Sequence, residues 1–324
     1  MVTVKIKSLV VFLTSVLLML TAYNISPFQV PSTEEALGEI LFFDPILSQD
    51  SSISCASCHN PKLAFADSVA ISPGVGGVLG RRNAPSVMNI ASRDIFFYDG
   101  RAATLEEQIH FPIEDPLEMN LAMTDLVSRL KNHQKYSLWF KNIYNEEPNE
   151  KNIAKAIAAF EASLETDESL FDQYMNGDRT KLTESAKRGR KIFLSEEAKC
   201  FDCHFGPDFT GDEFKNIGLY DKVKYHDLGR YEVTKDSADI GKFKVPGLRN
   251  VAVTAPYMHD GSFKTLKDVL GYYKDPFQHV AHPINMDTTL LKPLSLTDQD
   301  LADLEAFLVS LTDNRFLHLL PKSN

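Results

Sequence analysis

The sequence predicts a mainly α-helical chain made of two similar halves with long loops. Three observations carry this reading: apolar residues recur at helical spacing, convincing alternating strands are scarce, and one cysteine-histidine pattern appears once in each half. Taken in order, Ser32 and Glu35 form a capping-box pattern at the start of a first helix. Ile153, Ile157, Phe160 and Leu164 then fall on one helical face. The cluster Asn176-Gly177-Asp178 reads as a turn, and Thr183 as the N-cap of the next helix. Thr297 precedes Leu301, Leu304, Leu308 and Leu311, a last amphipathic helix. The expected division is residues 31–176 and 177–320.

All four cysteines fall into Cys55-Ala56-Ser57-Cys58-His59 and Cys200-Phe201-Asp202-Cys203-His204. Cys-x-x-Cys-His is the attachment signature of c-type haem. Two thiols one turn apart add to the porphyrin vinyl groups, and the adjoining histidine ligates the iron from below. Redox disulfides would not need a histidine after each pair, and a four-thiolate zinc site would leave both histidines unexplained. The expected cofactors are therefore two covalently bound haems c. Each motif ends an apolar segment, "LGEILFFDPILSQDSSISCASCH" and "GRKIFLSEEAKCFDCH", and each half continues to an Asp-Gly turn, Asp99-Gly100 and Asp260-Gly261.

The chain has 324 residues, 44% hydrophobic and 24% charged, with a formal charge of −10. That composition suits a globular protein and argues against a nucleic-acid partner, which calls for a basic patch. An acidic surface suits a small basic electron carrier. Lys5 and Lys7 precede an uncharged run over residues 9–22, as in a secretory signal. Residues 1–22 are thus expected to be a signal peptide or, because Leu20 sits where cleavage favours a small residue, an N-terminal anchor. Either way the body of the protein is exported.

The stretches "SISCASCHNP", "RRNAPSVMN", "YDGRAATLEEQIHFPIEDPLEM", "FKVPGLRN" and "TAPYMHDGSF" occur in an order that resembles the bacterial di-haem cytochrome c peroxidases, MauG-type enzymes included. The resemblance spans nearly the whole chain after the N-terminal segment. It implies two cytochrome c-like haem domains with long loops, the first peroxidatic and the second electron-transferring, in the periplasm. It implies hydrogen peroxide as substrate, and a cytochrome c, a cupredoxin or a protein side chain as electron donor. A homodimer is a further expectation.

The same resemblance assigns residues. Gln108, Pro112 and Glu118 stand at the family's glutamine, proline and glutamate spacing, with Glu118 as acid/base and Gln108 as hydrogen-bond partner of peroxide. Glu106, Glu107 and Glu114 keep a surface reading, and His110 a packing one. Many members place a histidine in the loop after the first haem motif as a resting sixth ligand. None lies between His59 and His110, so the first iron is expected to be open. Fourteen residues beyond His259, where electron-storing members have methionine, this chain has Tyr273, with Tyr272, Met258 and Met286 as rival ligands. A phenolate favours ferric iron where a thioether favours ferrous. Tyr98 replaces the family's inter-haem tryptophan, and the sole tryptophan, Trp139, lies elsewhere. Asn83, Thr254 and Pro256 map onto a calcium site. A non-catalytic electron-transfer cytochrome and a haem-based sensor are the rival classes; the Gln108/Glu118 pocket argues against the first, and the lack of a signalling module against the second.

Overall fold

The computed structural model describes residues 30–320, so the N-terminal segment over residues 1–22 lies outside the described residues. Eleven α-helices are found among them: α1 Glu34–Phe43, α2 Cys55–Cys58, α3 Leu105–Glu114, α4 Met123–Asn132, α5 Gln134–Tyr144, α6 Glu150–Ala162, α7 Leu170–Met175, α8 Glu184–Phe193, α9 Tyr231–Thr234, α10 Leu266–Lys274 and α11 Asp298–Val309. The only paired strands among the described residues, β1 Phe214–Lys215 and β2 Phe243–Lys244, run antiparallel with Phe214 opposite Lys244. No described helix is long and apolar enough to cross a membrane. The mainly α reading holds.

The helix starts follow from their caps. Thr183 accepts the Ala186 N–H at 3.1 Å, and Thr297 forms a capping box with Asp300, as the sequence indicates. The first helix differs. Its N-cap is Thr33, which accepts the Ala36 N–H at 3.1 Å, so Ser32 and Glu35 form no capping box. Both hydroxyls are good caps, and starting at Glu34 turns Leu37 and Leu41 together into the core.

Each half builds its own apolar core. The first gathers Leu37, Leu41 and Phe42 of α1 against Ile153, Ile157 and Phe160 of α6. The second gathers Phe193 of α8 against Leu304, Phe307 and Leu308 of α11. Both helix pairs cross at a glycine. A Cβ on Gly38 would meet the Ala156 carbonyl oxygen at 1.8 Å, and one on Gly189 the Asp303 carbonyl oxygen at 1.8 Å. Gly189→Ala should therefore force the helices apart and cost about 1–3 kcal/mol. The expected readout is a lower denaturation midpoint of the haem-loaded protein; an unchanged midpoint would show that α8 and α11 tolerate wider spacing.

The repeat extends into the loops. Asn89 and Asn250 both adopt left-handed backbone, and their N–H groups donate to the carbonyls of Leu164 at 2.8 Å and Leu311 at 3.1 Å, just past α6 and α11. Their side-chain oxygens accept the N–H of Thr166 at 3.2 Å and of Asp313 at 2.9 Å. The Asp-Gly turns are closed alike, by bridges Phe96–Ala102 and Tyr257–Phe263. From Thr33 onward the described chain is one compact unit. Arginines fasten its halves: Arg82 pairs with Asp99 at 2.5 Å and Asp227 at 2.7 Å, and Arg93 with Asp208 at 2.5 Å and Asp212 at 3.1 Å.

Candidate active site

The first motif is a single helical turn, α2. The Ser57 hydroxyl accepts the Ser54 N–H at 3.0 Å, and the His59 N–H closes on the Cys55 carbonyl at 2.9 Å. The ring of His59 is then fixed from behind. Its Nδ1 lies 3.0 Å from the Pro85 oxygen and 3.3 Å from the Phe65 oxygen. Carbonyls only accept, so Nδ1 carries the proton and Nε2 keeps its lone pair for a metal. Burial also holds the imidazole below its usual pKa and so neutral.

The second motif follows the same plan on a tighter turn. Lys199 is left-handed, and Cys200–Asp202 form a 3₁₀ turn rather than α-helix. The His204 Nδ1 donates to the Phe209 carbonyl at 2.9 Å, with the Pro246 carbonyl as second acceptor. No disulfide joins the four cysteines. Burial keeps them as thiols, pushing Cys58 up to about 11 and Cys200 up to about 12. Two thiols and a histidine with a free Nε2, twice over, are the donor set that covalent haem needs.

Around the first motif opens a cavity of about 540 Å³, bordered by Cys55, Cys58 and His59. Such a volume is that of a cofactor site. Gln108 and Pro112 reach it from α3, and Glu118 from the loop that follows. That loop is anchored. The Glu118 N–H donates to the Asp115 carbonyl at 3.0 Å, the Glu118 carbonyl accepts the Val75 N–H at 2.8 Å, and Met119 N–H returns to the Pro112 carbonyl at 3.0 Å. Burial raises the Glu118 carboxyl above its ordinary value, nearby Asp115 adds to this, and Arg101 and Arg81 oppose it. A carboxyl raised in this way holds its proton to higher pH than a surface glutamate, as a group that must both take and return a proton needs. Glu106, Glu107 and Glu114 are exposed, and His110 does not border the cavity.

Tyr98 borders the cavity where the halves meet, its carbonyl accepting the Lys244 N–H of β2 at 2.7 Å. Burial pushes its phenol up, so the hydroxyl stays protonated. Asn83, Thr254 and Pro256 also line the cavity. The Asn83 amide nitrogen donates to the Val69 carbonyl at 3.2 Å and the Ala70 carbonyl at 3.1 Å, which turns its Oδ1 away from them. Among the described residues, no three His, Cys, Asp or Glu side chains cluster as a metal site.

Tyr273 lies apart from this cavity, on α10, with Cys203 and Cys200 close enough that burial and their charge would both oppose its ionisation. Its neighbour Tyr272 is fully buried and donates to the Ile217 carbonyl at 2.5 Å, so that hydroxyl is committed to packing. Met286 lies 3.2 Å from where a Cβ on Gly218 would stand, beside the Tyr272 hydroxyl. Met258 both borders the first cavity and packs against the small apolar cluster that contains Phe263 and Tyr272.

Residues 32–180 match the family described as di-haem cytochrome c peroxidase, and residues 186–312 match cytochrome c. The chain is 38% identical over 288 residues to the methylamine utilization protein MauG of Methylorubrum extorquens, covering 87% of this chain and 79% of that one. It belongs to the di-haem cytochrome c peroxidase family. The cytochrome c peroxidase Ccp of Escherichia coli is 40% identical over 248 residues, 74% of this chain and 53% of that protein, so this chain spans about half its length. Among solved structures, a MauG-like protein associated with microbial copper homeostasis superposes with a TM-score of 0.77 at 30% identity, covering 91% of this chain and 98% of that one. The diheme peroxidase BthA of Burkholderia thailandensis does so at 0.79 and 27%, covering 90% and 88%. As a member of this family, the chain is a peroxidase with two haems c.

Two features of the site escaped the sequence reading. The arginines that pair across the halves were given no role there: Arg82 stands within "RRNAPSVMN", and Arg93 outside every quoted stretch. Glu161 carries a signal in retrospect: it falls four residues after Ile157 and three before Leu164, on an apolar stripe, and it is buried at the cavity wall.

Proposed function

We propose that this peroxidase is of the MauG-like type, reactive toward hydrogen peroxide in its fully oxidised state. The observation that carries this is that Gln108 and Glu118 line the same cavity as His59, with no histidine between His59 and His110 in the sequence. When bound, the haems supply the redox-active iron at which the O–O bond is cleaved and from which electrons are exchanged. Cys55, Cys58 and His59 would hold the first, and Cys200, Cys203 and His204 the second, with Tyr273 as a further oxygen donor toward the second. Glu118 takes the proton from the near oxygen of peroxide and returns it to the far one, so that water is the leaving group. The Gln108 amide orients the substrate, and Tyr98 relays charge between the halves.

The electron donor is a small soluble protein, a cytochrome c or cupredoxin, drawn by the acidic surface. The protein works in the periplasm. A protein side chain as donor is the alternative, favoured by the tyrosine on the second haem. The test is to mix the diferric protein with peroxide without reductant, then add reduced cytochrome c, cupredoxin or candidate proteins. Its resting EPR spectrum should combine one high-spin and one low-spin haem. Wholly low-spin iron, or inertness until one electron is added, overturns the reading.

Calcium fits at Asn83, Thr254 and Pro256 through the free Asn83 Oδ1, backbone carbonyls and water. With no carboxylate cluster, affinity should be that of a weak extracellular site, about 10⁻⁴–10⁻³ M. A chelator should then lower peroxide turnover and added calcium restore it, with calorimetry giving the constant.

A further inference from the structure

The loop that follows the first haem motif folds into a small hairpin over residues 72–80. An antiparallel bridge joins Pro73 to Leu79. The Gly74 N–H donates to the Val78 carbonyl at 2.7 Å, and the Gly80 N–H to the Ser72 carbonyl at 3.1 Å. Gly76 and Gly77, at φ 71° and 78°, make its exposed left-handed tip. Ser72, Pro73 and Gly74 border the first cavity.

Three contacts tie this hairpin between the haem-attachment turn and the loop that carries Glu118. At its start, Ser72 lies within hydrogen-bond reach of the Cys58 sulfur, and its hydroxyl donates to Asp67 at 2.5 Å. Just past its end, Arg81 pairs with Asp115 at 2.5 Å. Asp115 in turn accepts the Leu117 N–H at its Oδ1, 2.9 Å away, and the Glu118 N–H at its carbonyl, 3.0 Å away. Between these two ties, the Val75 N–H donates to the Glu118 carbonyl at 2.8 Å. Gly74 is pressed against the same stretch: a Cβ there would stand 2.1 Å from the Leu117 carbonyl oxygen and 2.6 Å from that of Glu118. Its backbone is ordinary and extended, so close approach, not a special conformation, is what requires glycine.

Peroxide cleavage depends on where Glu118 stands, because its carboxyl must take a proton from one oxygen and return it to the other. Misplacing a reacting group by about an ångström costs about a hundredfold in rate. We propose that the hairpin is a clasp that fixes Glu118 relative to the first haem-attachment turn, with Gly74 as a positioning residue for peroxide cleavage. Gly74 acts only through the Leu117–Glu118 backbone. This rests on the reading of Glu118 as the acid/base of that step.

The experiment is stopped-flow mixing of the haem-loaded diferric protein with peroxide. Gly74→Ala should keep both haems and the resting EPR spectrum, yet react about a hundredfold more slowly. Val75→Pro breaks the clasp by another route. Val75 opens a 3₁₀ turn after an extended residue, which suits proline, but the ring removes the N–H that reaches Glu118. It should show a similar loss. Gly80→Ala is the control and should react as wild type, since a Cβ there meets only the Ser72 carbonyl oxygen at 3.6 Å and Ile71 at 3.8 Å. The deciding measurement is Gly74→Ala combined with Glu118→Gln. If Gly74 acts through Glu118, the double variant matches Glu118→Gln alone to within about twofold. Losses that multiply would show that Gly74 supports the cavity in another way, and the proposal falls. A wild-type rate in either clasp variant, equal slowing in Gly80→Ala, or loss of haem from both clasp variants also overturns it. A wild-type rate in Glu118→Gln would sink the underlying reading instead, so the two failures are distinguishable.

Discussion

Glu118→Gln should retain both haems yet react with peroxide about 10²–10⁴-fold more slowly than wild type, the usual contribution of a positioned acid/base. The substitution keeps the shape of the loop, whose anchoring bonds to Asp115 and Val75 are made by backbone atoms. Only the ionisable oxygen is lost. The pH profile adds a second check. Accepting the first proton requires the carboxylate, and burial raises its pKa, so that form fills at higher pH than for a surface glutamate. The wild-type rate should rise with pH through this raised value and then level off, and the rising limb should vanish in the glutamine variant. Stopped-flow mixing of the diferric forms measures both. A variant as fast as wild type would leave Glu118 a structural residue.

Tyr273→Met should have the other large effect, on redox potential rather than rate. A phenolate is an anionic, hard ligand that favours ferric iron, while a thioether raises the haem potential. The structure makes the phenolate expensive without a metal, since burial and the nearby cysteines oppose its ionisation. A cation at the hydroxyl is what would offset that cost. In the wild type, mild reductant should leave the second haem ferric. In the methionine variant the second haem should become reducible while the first stays oxidised, giving a mixed-valence state in a redox titration. If the potential of the second haem does not move, Tyr273 is not its ligand and Met258 or Met286 takes its place.

How much of this was legible in the sequence follows from how local each feature is. The haem attachment sites are contiguous five-residue words, and covalent chemistry dictates their spacing. Gln108, Pro112 and Glu118 are nearly as local, since one helix and its exit loop carry all three. The helix caps at Thr183 and Thr297 were readable for the same reason. At the first helix, two adjacent hydroxyls competed, and the register of Leu37 and Leu41 against α6 chose Thr33. Partners distant in sequence were not readable. Arg82 finds Asp227 and Arg93 finds Asp208 more than a hundred positions away, and no periodicity announces such a pair. Nor does a sequence say that the apolar face around Glu161 borders a cavity.

The two histidines share one kind of support: each Nδ1 donates to a phenylalanine carbonyl and to the carbonyl of a proline, Phe65 with Pro85 and Phe209 with Pro246. The side of each haem that holds the protein is thus the same module written twice, as duplication of an ancestral gene segment would leave it. On the proposed assignment, what would distinguish the copies is the rest of each site: Gln108 and Glu118 in one, Tyr273 in the other. On that proposal, a division of labour needs change on only one side of a doubled unit, while the histidine support stays common to both.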